Sequence, residues 1–344
     1  MDQEHEVVWR PQAGPQEHLV NCPFPEILFG GSRGGGKTDG VLGKWAIKEQ
    51  RYGKYFNAKM FRKTTVSAED AVERSKDIYG PLGGKFNESK LRWIMPNGGR
   101  VSFGYLESMK DAEGEQGKNL TDAWVEEVGQ YPSPEPIDLL FGALRSSKNV
   151  PVQLILTGNP GGAGQHWIAN RYQLIPFPDR PQVIHRELPD GSTHKIAVIP
   201  SRIQDNKILL NSDPSYISRL HLVGGAKLVK AWLEGDWSAV EGAFFDCWSG
   251  RLVIRPLSLP GHWTRFRSMD WGSARPFSVG WWAIASEDYA HPDGFVLPKN
   301  AMIRYREWYG MTPGKPNVGL KLTAEQVALG ILEREDEKIH YSVA

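Results

Sequence analysis

The sequence predicts an α/β fold, with a doubly wound sheet in the first part of the chain and a strand-rich second part. Apolar runs alternate with patterns of helical spacing from residue 26 to residue 160, an order typical of sheets that carry helices on both faces. A glycine-rich loop follows the first of these runs. After residue 245, three strand-like runs follow one another before a single helical pattern.

The first part begins with a strand, a loop and a helix. These are EILFG, GGSRGGGKT and DGVLGKWAIKEQ, the last with apolar residues at helical spacing. The chain continues with a strand (YFNAKMFRKT), a helix (SAEDAVERSKDIYG), a hairpin around Asn97 and Gly98 (LRWIMPNGGRVSFGYL) and two more strands (DAWVEEV and VQLILTGNP). This alternation predicts the doubly wound sheet.

Residues 205–238 change in character, because residues 213–237 predict two helices broken at Gly224 and Gly225. After Phe245 the predicted strands are RFRSMDWG, FSVGWWAIAS and AMIRYREWYG, and the predicted helix is TAEQVALGILEREDEK. We therefore predict a first domain over residues 1–245, with a helical linker region over about 205–245, and a second domain over residues 246–344.

Composition sets broad bounds. The 344 residues exceed one typical domain of about 100 to 200 residues. The net charge of +1 does not decide on nucleic-acid binding, because a neutral chain can still carry a basic channel. Cys22 and Cys247 are too few for a disulfide framework and lack metal-ligand spacing. No apolar run is long enough to span a membrane and MDQEHEVV lacks the features of a signal peptide, so we expect a cytosolic chain.

Residues 31–38 match the phosphate-loop pattern G-x-x-x-x-G-K-S/T. In such a loop, backbone N–H groups cradle the β-phosphate, the lysine bridges the β- and γ-phosphates, and the hydroxyl binds Mg²⁺. A purely structural glycine loop is the alternative. The expected ligands are ATP and Mg²⁺, and the expected nucleotide-binding residues are Gly31, Ser32, Arg33, Gly34, Gly35, Gly36, Lys37 and Thr38.

A phosphate loop needs an acidic partner at the end of a buried strand. DAWVEEVG supplies two candidates: Glu127 to polarise the attacking water, and Glu126 to bind the metal where an aspartate is usual. Asp122 competes for the metal but lies at the beginning of the strand. The alternative is an edge strand that ends in solvated acids.

Further candidates are polar residues near the other strand ends. Thr157, Gly158 and Asn159 end a strongly apolar strand and could sense the γ-phosphate, although a plain Gly-Asn-Pro turn needs no such role. Two arginines could stabilise transition-state charge, Arg33 within the loop and Arg145 from a neighbouring subunit, and either could equally be a surface residue. Gln16 is suited to reading the adenine edge.

Together these stretches resemble the large subunit of tailed-phage terminases, over nearly the whole chain. The motifs that carry the resemblance are GGSRGGGKT, FRKT, VEEVG, LTGNPGG, AWLEGDW and MDWG, in that order. The resemblance implies a RecA-like (ASCE-type) P-loop ATPase followed by a ribonuclease H-like nuclease. It also implies double-stranded DNA, the portal protein and the small terminase subunit as partners, a homo-oligomeric ring when active but possibly a monomer in solution, and action at the prohead in the host cytoplasm.

The resemblance is incomplete in the nuclease. Asp270 matches the first aspartate of a site that holds two Mg²⁺ or Mn²⁺ ions. The later acids of the family would lie on a fourth strand and a final helix, whereas this sequence stops at IHYSVA. Glu307 and Asp288 match no metal position of the family. We expect an incomplete nuclease domain that does not cut DNA.

Two other functions stay open at this point. One is a nucleotide-dependent DNA-binding scaffold that assembles without appreciable turnover, and the other is a helicase-like remodeller. A helicase of this lineage would be expected to carry a second motor domain, and the strand-rich pattern of residues 246–344 does not predict one.

Overall fold

A computed structural model describes residues 7–64, 68–146, 148–222, 226–238, 252–313 and 318–344. The chain divides into two compact units, Met1–Asp246 and Cys247–Ala344, and each is described by itself. The predicted domain boundary after residue 245, Cys247 and the helix break at Gly224 and Gly225 lie outside the described residues.

The first unit is built around one sheet of nine strands. Its strands are β1 (Glu26–Gly31), β2 (Asn57–Arg62), β3 (Lys85–Asn87), β4 (Arg92–Ile94), β5 (Arg100–Tyr105), β6 (Asp122–Val125), β7 (Gln153–Gly158), β8 (Gln182–Glu187) and β9 (Thr193–Ser201). Its helices are α1 (Pro15–Asn21), α2 (Lys37–Tyr52), α3 (Glu69–Tyr79), α4 (Met109–Glu113), α5 (Glu135–Asp138), α6 (Gln165–Arg171), α7 (Lys207–Ser212), α8 (Tyr216–Leu220) and α9 (Ala226–Glu234).

The strands lie in the order β3-β4-β5-β2-β6-β7-β1-β9-β8. Neighbouring strands are parallel throughout the series β5-β2-β6-β7-β1-β9. At the two edges of the sheet, β3 and β4 on one side and β8 on the other pair in antiparallel fashion. The carboxyl ends of parallel strands lie on the same side of the sheet, so the segments after β1, β6 and β7 meet there. The predicted doubly wound sheet is confirmed, as is the predicted hairpin, which β4 and β5 form.

Apolar side chains fill both faces of this sheet. Strand β1 is buried at every residue, as expected for a central parallel strand. Successive side chains of a strand point to opposite faces, and accordingly Ile27 and Phe29 belong to one hydrophobic core while Leu28 belongs to the other. The first core packs on α2 through Trp45, and the second packs on α6 through Ile168.

The second unit contains a sheet of four strands in the order β14-β11-β10-β15 and a two-stranded ribbon. Its elements are β10 (Thr264–Asp270), β11 (Ser278–Ile284), β12 (Tyr289–Ala290), β13 (Val296–Leu297), β14 (Met302–Tyr309), α10 (Ala324–Leu332) and β15 (Tyr341–Val343). Strands β10, β11 and β14 are antiparallel neighbours, and β15 pairs in parallel with β10. The three predicted strands are confirmed, whereas β12 and β13 were not predicted.

The last helix is shorter than the sequence predicts, since α10 ends at Leu332 and the helical pattern runs to Lys338. The side chain of Glu335 accepts hydrogen bonds from Trp281 and Arg267 of the sheet. The helix therefore ends shortly before Glu335, a charged residue whose side chain bonds to the neighbouring strands. Within the described ranges, none of the helices has the length and apolar character that crossing a bilayer requires.

Candidate nucleotide-binding site

The loop between β1 and α2 takes a backbone conformation that glycine favours. Gly34 and Gly36 have φ angles of 73° and 75°, in the left-handed region that other residues rarely adopt. A Cβ atom on Gly31 would lie 2.2 Å from the backbone oxygen of Ser201. The backbone conformation at Gly34 and Gly36 therefore favours glycine, and the closeness of β9 requires it at Gly31.

The loop presents unpaired N–H groups. In the described part of the chain, those of Gly34, Gly35 and Gly36 have no protein acceptor in hydrogen-bonding geometry. Helix α2 begins directly after them at Lys37, so its positive dipole end is directed at the same place. Unpaired N–H groups at a helix N-terminus bind anions well, and the residues present therefore fit the phosphates of a nucleotide.

Lys37 lies within this loop. Its Nζ donates hydrogen bonds to the carbonyl of Ser32 and to Oδ1 of Asn159, each at 2.7 Å. Burial lowers the pKa of Lys37 to about 8, although the nearby carboxylates of Glu127 and Glu126 act in the opposite direction. A phosphate in the loop would stabilise the charged form of this side chain.

Thr38 and Glu126, the two residues expected to hold the metal of the nucleotide, are in contact. The Thr38 hydroxyl donates to Oε1 of Glu126 at 2.5 Å, and Nε of Arg62 lies 2.8 Å from Oε2 of the same carboxylate. Glu126 is 5% exposed; burial raises its pKa, while Arg62 and Thr38 oppose the shift. Hydroxyl and carboxylate oxygens suit Mg²⁺, so this pair fits the ion.

Glu127 follows the strand in a left-handed conformation, with a φ of 54°. Its Oε1 lies 3.5 Å from Nδ2 of Asn159. Asn159 therefore contacts both Lys37 and Glu127. Thr157 is placed differently, since its hydroxyl accepts from the indole of Trp124 inside the core. Gly158 pairs with Gly30 of β1 in the sheet.

Arg33 and Gln16 both lie at the loop but are engaged with other residues. The Arg33 guanidinium lies 3.8 Å over the ring of Trp232, and its backbone N–H donates to the Trp232 carbonyl. Gln16 is 3% exposed and accepts from the N–H of Gln12, while its Nε2 donates to the Gly36 carbonyl at 2.8 Å. That Gln16 reads adenine stays a prediction.

Arg145 lies at the amino ends of the parallel strands, on the side of the sheet opposite to the phosphate loop. Its N–H donates to the carbonyl of Leu120, which precedes β6, and its Nη2 donates to the Gly117 carbonyl at 2.8 Å. Asp122 is at this amino end too, where both carboxylate oxygens accept from Lys48 at 2.8 Å. Arg145 and Asp122 therefore do not contact the loop of their own chain. A cavity of about 350 Å³ beside Arg145 has three further basic residues in its lining, Lys54, Arg100 and Lys148.

The sequence did not indicate four residues that contact the loop or its acidic partner. Arg62 belongs to the FRKT motif, to which no role was assigned. The other three come from the segment after β8: Trp232 belongs to the AWLEGDW motif, which also has no predicted role, and Ser201 and Asn206 belong to no recognisable pattern.

Asp270 ends β10 with an exposed side chain. Among the described residues, no three acidic, histidine or cysteine side chains converge in a way that could hold a metal ion. Glu307 pairs with Arg304, and Asp288 accepts from the N–H of Lys299. The described acids of this unit do not fit a two-metal site, because such a site needs several carboxylates around its ions.

Comparison with known proteins identifies chains with the same fold. Two crystal forms of the large terminase from the thermophilic bacteriophage D6E share the fold, one of them in complex with ADP. They match with TM-scores of 0.51 and 0.50 and identities of 15% and 17%, over 96% of this chain and 76% of theirs. No curated protein matches significantly. The phage terminase large subunit family matches residues 25–220, which is more than half of the chain, and the chain therefore belongs to that family.

Proposed function

We propose that this chain is an ATP-hydrolysing motor that translocates double-stranded viral DNA into a prohead. The observation that carries the proposal is the meeting of three groups at one edge of the sheet. These are the unpaired N–H groups of the loop, the Lys37 ammonium and the Thr38–Glu126 pair. This is the set of groups that phosphoryl transfer from a nucleotide requires.

Each residue has a distinct proposed role. Lys37 exchanges its bonds to Ser32 and Asn159 for phosphate oxygens. Glu127 polarises the attacking water, and Asn159, within reach of both Lys37 and Glu127, links the presence of the γ-phosphate to the acid. Mg²⁺, when bound at Thr38 and Glu126, offsets phosphate charge. The ADP complex of the D6E terminase supports nucleotide binding.

Different observations support the proposed catalytic roles of Arg145 and Arg33. Arg145 lies at the amino edge of its own sheet, so it stabilises charge only in the site of a neighbouring subunit. The basic lining of the adjacent cavity supports an anion there. Arg33 lies next to its own loop and would act within one chain after leaving Trp232.

The other partners follow from the family. We propose double-stranded DNA as substrate, the portal protein and the small terminase subunit as partners, a ring of identical subunits as the active form, and the host cytoplasm as the place of action. For the second domain, residues 246–344, we propose a ribonuclease H-like fold without cleavage activity, because no group of three or more metal-ligating side chains is found among the described residues.

The test is phosphate release from ATP with and without linear double-stranded DNA. We expect DNA to stimulate turnover of the unaltered protein, and Lys37→Ala to abolish it at unchanged far-UV circular dichroism. Lys85→Ala, on exposed β3, is the matched control and should retain activity. Tight nucleotide binding with no phosphate release in the presence of DNA would favour the scaffold instead, and DNA strand separation would favour the remodeller.

A further inference from the structure

The carbonyl groups of the three consecutive glycines in the phosphate loop are each held by one side chain. The three donors approach from the side of the loop that faces the protein, and each bond is short. The pairs are Asn206 Nδ2 with Gly34 at 2.7 Å, Ser201 Oγ with Gly35 at 2.7 Å, and Gln16 Nε2 with Gly36 at 2.8 Å.

The three donors are themselves held in place. Ser201 is fully buried at the end of β9, and Gln16 is buried in α1. Asn206 caps α7, because its Oδ1 accepts from the N–H of Leu209. Each donor lies at least 20 positions from the glycine that it contacts, and Ser201 and Asn206 lie more than 160 positions away, so the arrangement arises from the tertiary fold.

Holding a carbonyl also orients the next N–H group. In a planar trans peptide the C=O and the following N–H point in opposite directions. Fixing the carbonyls of Gly34, Gly35 and Gly36 toward the protein therefore directs the N–H groups of Gly35, Gly36 and Lys37 away from it, toward the phosphate position. Glycine has little conformational preference of its own, so an unclamped loop would lose this orientation much of the time.

We infer that Gln16, Ser201 and Asn206 are positioning residues that preorganise the loop for ligands with a β-phosphate. The inference rests on the proposed nucleotide site. It gives Gln16 a role that does not involve adenine, and it gives the segment that follows β8 a direct effect on nucleotide affinity.

The test compares the dissociation constants of ADP and AMP, measured by competition with a fluorescent ADP analogue. AMP has no β-phosphate, so it serves as an internal control. Gln16→Met, Ser201→Ala and Asn206→Ser should each weaken ADP binding about three- to tenfold, the range for one lost hydrogen bond. AMP binding should change by less than about twofold, because AMP lacks the β-phosphate for which the loop is preorganised.

Asn206→Ala separates positioning from stability. Serine at this position keeps an N-cap hydroxyl, whereas alanine removes both the cap and the donor. We expect equal losses of ADP affinity in Asn206→Ser and Asn206→Ala, with a lower melting temperature only for alanine. Asn170→Ala, at an exposed residue of α6, is the control and should match the unaltered chain.

The outcomes are distinguishable. Absence of ADP binding by the unaltered chain would overturn the proposed nucleotide site, and this inference with it. Normal ADP binding by the unaltered chain and by all four variants would overturn the inference alone. Equal losses of ADP and AMP affinity would do so too, because they would indicate a general distortion.

Discussion

The ammonium of Lys37 donates a hydrogen bond to Oδ1 of Asn159 at 2.7 Å, which joins the phosphate loop to the segment after β7. Nδ2 of the same asparagine lies 3.5 Å from the Glu127 carboxylate. Strand β7 lies between β1 and β6 in the sheet. Asn159 therefore connects residues that follow its two neighbouring strands, and a ligand that displaces Lys37 from it also alters the surroundings of Glu127.

Nucleotide affinity should fall as the pH rises through the pKa of Lys37, which burial lowers to about 8. Below that pH the side chain carries its proton and attracts phosphate. Above it, binding must take up a proton, so the dissociation constant of ADP should rise by up to about tenfold per pH unit. Calorimetric titration from about pH 7 to pH 9.5 checks this.

Lys37→Arg is the control for this pH dependence. Arginine stays charged over the whole interval, so its ADP affinity should be nearly independent of pH even if it is weaker overall. Ionisation of the nucleotide affects both proteins equally. The same pH curve for lysine and arginine would show that Lys37 is not the titrating group.

Glu127→Gln should keep ATP binding and lose at least about a hundredfold in turnover, as expected for loss of a general base. Its amide preserves the shape of the side chain but cannot take a proton. Glu126→Gln should instead raise the Mg²⁺ concentration needed for activity, because Glu126 contacts Thr38. Steady-state kinetics across a range of Mg²⁺ separate these effects, and exchanged phenotypes would reverse the assignment of the two acids.

Activity per subunit should rise with protein concentration if Arg145 acts on a neighbour. Chains with Arg145→Ala lack the arginine, and chains with Lys37→Ala lack a working loop. Mixing them should restore part of the turnover, at interfaces that pair an intact loop with an intact arginine. Concentration-independent activity without restoration would instead favour Arg33 within one chain.

Lys48 and Asp122 should matter for folding and not for catalysis. They form a buried ion pair at the amino end of β6, and Lys48 also donates to the Pro151 carbonyl. Burial raises the pKa of Asp122, with Lys48 acting against the shift. Lys48→Met should cost about 3 kcal/mol in the free energy of unfolding, because it leaves a buried carboxylate unpaired.

Adding Asp122→Leu to Lys48→Met should recover part of that loss, because the unpaired carboxylate is then removed as well. Urea unfolding gives both values. ADP affinity should stay unchanged in the double variant. A marked loss of Mg²⁺-dependent activity in a fully folded Asp122 variant would instead identify Asp122 as the metal ligand.

Plasmid DNA should stay intact with this chain in Mg²⁺ or Mn²⁺. Two metal ions about 4 Å apart need several carboxylates to offset their repulsion, and no such group is present among the described residues around Asp270. Agarose gels show nicking directly. Metal-dependent nicking that Asp270→Ala abolishes would mean that further acids complete the site.

The phosphate loop and the alternation of strands and helices before residue 160 were predictable because their signals are local. GGSRGGGKT fixes the loop, and alternating apolar runs indicate the parallel sheet. Ser201 and Asn206 could not be found in this way, because each lies more than 160 positions from the glycine that it contacts. Arg62 could be predicted only in part. Its FRKT motif is visible in the sequence, but its contact with Glu126 arises from the pairing of β2 with β6.

Strands β8 and β9 show a similar limit of prediction from the sequence alone. Their antiparallel pairing places Ser201 beside the loop only because β9 also lies parallel to β1. The turn between them contains Asp190 and Gly191, a recognisable hairpin signal. The position of β9 next to the central strand follows from long-range packing, which a single sequence does not express.

The stacking of Arg33 on Trp232 sets a threshold for anions. A guanidinium over an indole ring is stabilised by about 0.5–2 kcal/mol, and the distance here is 3.8 Å. An anion recruits the arginine only if its attraction for the guanidinium exceeds that amount, because the contact with Trp232 is lost when Arg33 turns toward the loop. At about 1.4 kcal/mol for each factor of ten, the loss of this resting contact lowers the affinity of a ligand that recruits Arg33 by up to roughly thirtyfold.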